Sequence, residues 1–199
     1  MKFNKRNLHS WLVALGLSLG VCGAQAATIN LVSVSDTAPP GGQVTFNMVA
    51  DFGAQSVLSG YTDFSWNSSV LNFASFVFNN SSPAIAARDP FFDIVDAQSP
   101  SLVSIGLGNF TGVSLPSGTI IGTLTFNAVG AGGSSTSINL ADSVVWGSYY
   151  DESTSALIPV NYTGATANIT AVPLPAAGWL MLGGLGSLFG FMHRAGCSA

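Results

Sequence analysis

The sequence predicts an all-β fold, a sandwich of jelly-roll type with about eight or nine strands, on three observations. Between residues 28 and 170, runs rich in Val, Ile, Thr, Phe and Tyr are parted by clusters of Gly, Pro, Asn and Ser. Several of these runs alternate apolar and polar residues with a period of two. No run of useful length shows the 3.6-residue periodicity of an amphipathic helix.

In chain order, 28–34 is a strand carrying Ile29, Leu31 and Val34, and 36–42 is a turn containing Pro39-Pro40-Gly41-Gly42. Val44, Phe46, Met48 and Ala50 then alternate with Thr45 and Asn47, as a half-buried strand does. Residues 58–66 and 70–78 read as a pair joined through Trp66-Asn67-Ser68-Ser69. In the second of these, Leu71, Phe73 and, after a shift, Phe76 and Phe78 supply core side chains. Pro83, Pro90 and Pro100 break 79–100 into a loop with a short apolar patch, Phe91-Phe92-Asp93-Ile94-Val95. Strands resume at 102–107 and 118–128, the latter setting Ile120, Gly122, Leu124 and Phe126 against Ile121, Thr123, Thr125 and Asn127. Residues 130–135 form a flexible connector, 137–140 and 144–150 are further strands, and 157–170 holds the last two.

Both ends read as addressing segments. Lys2, Lys5 and Arg6 precede an apolar stretch at 8–21 and the small-x-small site Ala24-Gln25-Ala26, which predicts a secretory leader cut after Ala26. About 14 apolar residues fall short of the ~20 that cross a bilayer. Cys22 follows Val21 rather than Gly, Ala or Ser, so it is a leader residue and not a lipid attachment point. At the far end, 174–192 carries no charge and is followed by His193 and Arg194. Nineteen helical residues rise ~28 Å, which predicts a membrane helix with its C-terminus on the cytoplasmic side. The expected organisation is a signal peptide at 1–26, an ectodomain at 27–171 and a membrane tail at 172–199.

Removing the ends changes the chemistry of what is left. Of the five Lys and Arg only Arg88 lies in 27–171, whereas all nine carboxylates do, a formal charge near −8. Such a domain cannot neutralise a run of phosphates, which excludes nucleic-acid binding. Both His and both Cys also lie outside 27–171, so there is no disulfide, and Ser-His, Cys-His and Lys-based catalysis are excluded. Carboxylate chemistry remains open, with Asp89, Asp93, Asp96, Asp151 and Glu152 as the candidates for the facing pair a glycosidase needs. Nothing in their spacing sets two of them opposite each other, so no enzyme is expected. The run Asp89 to Asp96 offers calcium candidates in Asp89, Asp93 and Asp96, against the alternative of a solvated acidic loop; it lacks the ligand density and central Gly of an EF-hand. No motif requires a cofactor.

Among the aromatics, Trp66 and Trp146 read as core or cross-strand residues, while Tyr149-Tyr150-Asp151-Glu152 reads as an exposed candidate ligand face.

Two resemblances follow. Val172-Pro173-Leu174-Pro175-Ala176-Ala177-Gly178-Trp179, an apolar Gly-rich span and then Arg194 resemble the VPLPA variant of the PEP-CTERM sorting signal, with a shorter basic end. That resemblance implies processing by signal peptidase and an exosortase, transient anchoring in the inner membrane, and delivery to the cell surface or the extracellular polysaccharide matrix. The ectodomain is similar to cohesin-like domains, whose β-sandwich is shared with some carbohydrate-binding modules. The residues that carry this are Pro40-Gly41-Gly42-Gln43-Val44-Thr45-Phe46, the block from Gly60 to Phe73, and Ser117-Gly118-Thr119-Ile120-Ile121-Gly122-Thr123-Leu124-Thr125-Phe126. Trp66-Asn67 stands where cohesins place an aromatic-Asp turn. The resemblance implies a module that binds a carbohydrate or a partner protein.

Overall fold

A computed structural model of the chain describes residues 26–171 together with Met181, Gly183 and Gly184. The expected leader, and the sorting tail with its membrane helix at 174–192, lie outside the described residues. Among the described residues no helix is long and apolar enough to cross a membrane.

Among the described residues, twelve strands form two packed sheets. They are β1 (Ala27–Ser35), β2 (Thr37–Ala38), β3 (Gln43–Asp51), β4 (Ser56–Ser65), β5 (Leu71–Phe78), β6 (Val95–Ser99), β7 (Leu102–Ser114), β8 (Thr119–Ala128), β9 (Ser135–Asp142), β10 (Tyr150–Asp151), β11 (Val160–Thr163) and β12 (Ala165–Ile169). One sheet runs β11-β1-β3-β8-β5, and the other β2-β12-β9-β4-β7-β6 with β10 beside β4. The number exceeds the expected eight or nine because β2 and β10 are two-residue pairings, too short to leave a periodic signal.

The period-two alternation places the core. Val44, Phe46, Met48 and Ala50 of β3 and Leu124 and Phe126 of β8 point inward, opposite Val57 and Phe64 of β4 and Val103, Ile105 and Leu107 of β7. The shift between Phe73 and Phe76 is a bulge in the β5–β8 ladder.

Three expectations are corrected. Segments 58–66 and 70–78 do not pair: β4 lies between β7 and β9, and β5 flanks β8 in the opposite sheet. Residues 66–70 between the two strands make a crossover rather than a hairpin turn. Trp66 is buried there and its Nε1–H donates to the Leu71 carbonyl at 2.8 Å, tying the end of one sheet to the start of the other. Second, 79–100 is not simply a loop, since it holds a helical turn at Pro83–Ala86, a 3-10 turn at Pro90–Phe92 and β6. Both turns begin with the proline that suggested irregularity, and proline suits the first position of a helical turn. Third, 144–150 is not a strand. Ser143 bridges Gly147 across a tight turn in which Gly147 has φ +90°, and only Tyr150 joins a ladder.

Candidate functional site

On the outward face of the central β4–β7 pair the side chains of β7 shrink. Ser104, Gly106 and Gly108 alternate with the inward Val103, Ile105 and Leu107, and they face Asp63, Tyr61 and Ser59 of β4. A Cβ on Gly106 would strike the Tyr61 ring and the Phe92 carbonyl, and one on Gly108 would strike the Leu58 carbonyl and the Phe92 ring. The two glycines are therefore seats for aromatic rings that lie down on the sheet.

From these seats an aromatic strip extends in both directions. The Trp146 ring sits 5.8 Å from that of Tyr61, inclined by 31°. Phe92 packs against Phe110 at 4.9 Å, and Phe91 against Phe110 at 5.7 Å. Phe110 stands where β7 bulges from β4, with Ser59 opposite Gly108 but Val57 opposite Val113. Asn109 fixes the bulge by accepting from the Thr111 amide and donating to the Ala87 carbonyl. Phe91 is 72% exposed, Phe110 60% and Trp146 42%, beside exposed Val144 and Val145. A run of exposed aromatic and aliphatic surface of this kind on one sheet face marks an interaction site rather than scattered surface residues.

A polar cluster holds the Trp146 turn in place. Asp63 is buried and accepts from the Ser104 hydroxyl and, at 3.1 Å, from the Val144 amide. The Ser143 hydroxyl accepts from the Trp146 amide at 3.2 Å, and Gln98 donates to both Ser104 and Asp96. With both oxygens of Asp63 engaged by donors, its burial is compensated, and the turn becomes a fixed mount for the indole.

The structure separates the four residues expected as a ligand face. Tyr149 belongs to the core: its ring fills the space above Gly60, 5.1 Å from Phe52, and its hydroxyl is hydrogen-bonded to that of Thr62 at 2.9 Å. Burial raises its pKa well above the ordinary tyrosine value. Tyr150 is partly exposed, and Glu152 is exposed at a neighbouring loop. Asp151 organises that loop, its Oδ1 accepting from the amides and hydroxyls of Ser153 and Thr154. Those bonds, Ser153 first, hold its carboxyl below the usual range. Conversely Trp146, expected as a core or cross-strand residue, is on the surface in a turn.

The calcium candidates do not assemble into a ligand set. Asp89 accepts from the Phe91 amide at 2.9 Å and caps the 3-10 turn, Asp93 is paired with Arg88 at 2.7 Å, and Asp96 accepts from Gln98. Among the described residues no group of three or more His, Cys, Asp or Glu could hold a metal. Phe110 had no signal in the sequence beyond its type, whereas Phe91 and Phe92 were visible as an apolar patch between prolines.

No protein-family model matches the chain, and no curated protein matches it. Solved structures do. The sixth cohesin of scaffoldin B from Acetivibrio cellulolyticus, in complex with a Cel5 dockerin, is 10% identical with a TM-score of 0.57, covering 73% of this chain and 99% of that one. A type I cohesin–dockerin complex from Clostridium thermocellum matches at 10% identity and 0.57, over 74% and 95%. A non-cellulosomal cohesin from the archaeon Archaeoglobus fulgidus matches at 18% and 0.54, over 73% and 92%. At these identities the likeness shows the fold, and the fold is the cohesin-like β-sandwich.

Proposed function

We propose that this chain is a non-enzymatic binding module that captures a partner protein on the outward face of β9-β4-β7-β6. The observation that carries this reading is the aromatic strip from Trp146 through Tyr61 and Phe92 to Phe110 and Phe91, seated on Gly106 and Gly108. Trp146, Phe110 and Phe91 are exposed yet fixed on the half-buried Tyr61 and the buried Phe92, and pre-organised aromatics lose little conformational entropy on binding and dominate interface energetics. Solved relatives of the fold bound to dockerins support a protein as the ligand. On this reading signal peptidase removes 1–26, the 172–199 tail holds the chain in the inner membrane until an exosortase acts, and the module is displayed at the cell surface or in the extracellular polysaccharide matrix.

The test is retention of proteins from the producing cell's envelope and medium on the immobilised chain, with Tyr61→Ala/Trp146→Ala as the comparison. A partner that binds directly when purified and loses about a hundredfold in affinity to the double variant is expected. Equal binding by the variant overturns the assignment of the face, and binding confined to polysaccharides on a glycan panel overturns the protein partner. Mass spectrometry of the mature protein checks the address: an end near Pro175 is expected, and a chain still ending at Ala199 overturns tail processing.

A further inference from the structure

The sheets have five strand edges, and four are blunted. β2 and β10 are two residues long, and Pro39-Pro40 follows β2. β11 has four residues and Pro159 before it. β6 has five, carries Asp96 and stops at Pro100. Short strands, prolines and edge charges are the devices that keep sheets from joining. β5 is different: it has eight residues, LNFASFVF, with no proline and no charge, its one interruption is the bulge between Phe73 and Ser75, and it ends the order β11-β1-β3-β8-β5 with no strand on its far side among the described residues. In an antiparallel ladder alternate residues of an edge strand turn their N–H and C=O groups away from the sheet. Along β5 those groups face outward beside Val77, 63% exposed.

The charges say what fits there. Residues 64–87 and 97–141 contain no Asp, Glu, Lys or Arg, and these runs include β5 and its neighbour β8 entirely. Most carboxylates lie elsewhere: Asp63, Asp96, Asp142, Asp151 and Glu152 are in the other sheet or its loops, Asp51 ends β3 two strands away, and Asp93, near the end of β5, is neutralised by Arg88, which lies over the Phe78 ring. Two copies of a domain near −8 repel over most approaches. At the β5 edge they meet without setting carboxylate against carboxylate. A two-fold axis through the strand centre pairs it with itself antiparallel, the closed arrangement that self-complementary edges favour.

From these observations we infer that β5 is a homodimer interface, at which two copies join their five-stranded sheets into one of ten strands. The aromatic strip lies on the other sheet and stays open in each copy, so the inference does not depend on the binding reading.

Sedimentation equilibrium of the full chain in density-matched detergent tests it. A dimer is expected for the unaltered chain. Ala74→Lys, which sets like charges across the axis, and Val77→Lys, which sets an ammonium against the uncharged first half of the other copy's strand, are each expected to weaken it about tenfold or more. Val32→Lys, exposed three strands away on the same sheet, and Trp146→Ala are expected to leave it intact. Should the lysine variants fail to fold, Ala74→Cys with Cys22→Ser and Cys197→Ser is expected to form a disulfide-linked dimer on oxidation, and Val32→Cys in the same background is not. A monomer at every concentration, a dimer indifferent to both lysines, or an open polymer series overturns the inference.

Discussion

Tyr149 and Trp146 exchange the places the sequence suggests for them. Tyr149 stands among Tyr150, Asp151 and Glu152 and so looks exposed, but Gly60 leaves a hole in β4 that its ring fills. Trp146 follows two valines and so looks like a strand interior, yet Ser143, Asp63 and the left-handed Gly147 close a turn that carries it to the surface. Vacancies opposite glycine are tertiary facts that local pattern does not encode. Gly60→Ala is expected to lower stability by about 1–3 kcal/mol in urea titration, because the added carbon overlaps the Tyr149 ring. Trp146→Ala, by contrast, removes a surface ring and is expected to lower stability by no more than about 1 kcal/mol, while binding at the face is weakened. Equal stability losses for the two would contradict their placement.

Among the elements, those with clean alternation, β3 and β8 above all, were legible because one face of each is buried along its whole length. Pairing was not. The segment Trp66-Asn67-Ser68-Ser69 has the composition of a hairpin turn, and only the burial of Trp66 against Leu71 shows that the chain changes sheet. The 79–94 segment was illegible for another reason: it is organised by one side chain. Arg88 lies 4.1 Å over the Phe78 ring, pairs with Asp93 at 2.7 Å, and donates to Asn80 and to the Ile85 carbonyl. Arg88→Met keeps the aliphatic stem and removes these bonds. It is expected to lower stability by about 1–3 kcal/mol and to speed amide exchange between residues 80 and 94 before the rest of the domain. Uniform exchange acceleration would show that the segment is not held by this residue.

For the whole molecule, stability in alkali is set by one buried and one half-buried phenol. Tyr149 and Tyr162 both have pKa values raised above the ordinary 10.0, first by burial, and Tyr162 donates to Asp142 at 2.7 Å. A raised pKa in the folded state means that the stabilisation is complete below the unfolded value and is lost as pH rises beyond it. Urea midpoints are therefore expected to hold up to about pH 10 and to fall steeply above it, with Tyr149→Phe flattening the fall. A midpoint independent of pH between 9 and 11.5 would contradict the burial of Tyr149 and the half-burial of Tyr162. At the acid end, Asp151, whose carboxyl is depressed, stabilises its loop above the ordinary Asp range and releases it as pH drops.

The clamp built on Arg88 also governs how the domain meets proteases. Between residues 27 and 171 there is no lysine, and this single arginine has its guanidinium engaged by Asp93, Asn80 and Ile85. An enzyme that cuts after basic residues finds one scissile bond in the whole sandwich, in a segment stapled to the sheet end. A domain so composed is expected to withstand trypsin-like digestion without a disulfide, and it carries no side-chain amine by which a neighbouring molecule could be cross-linked to it.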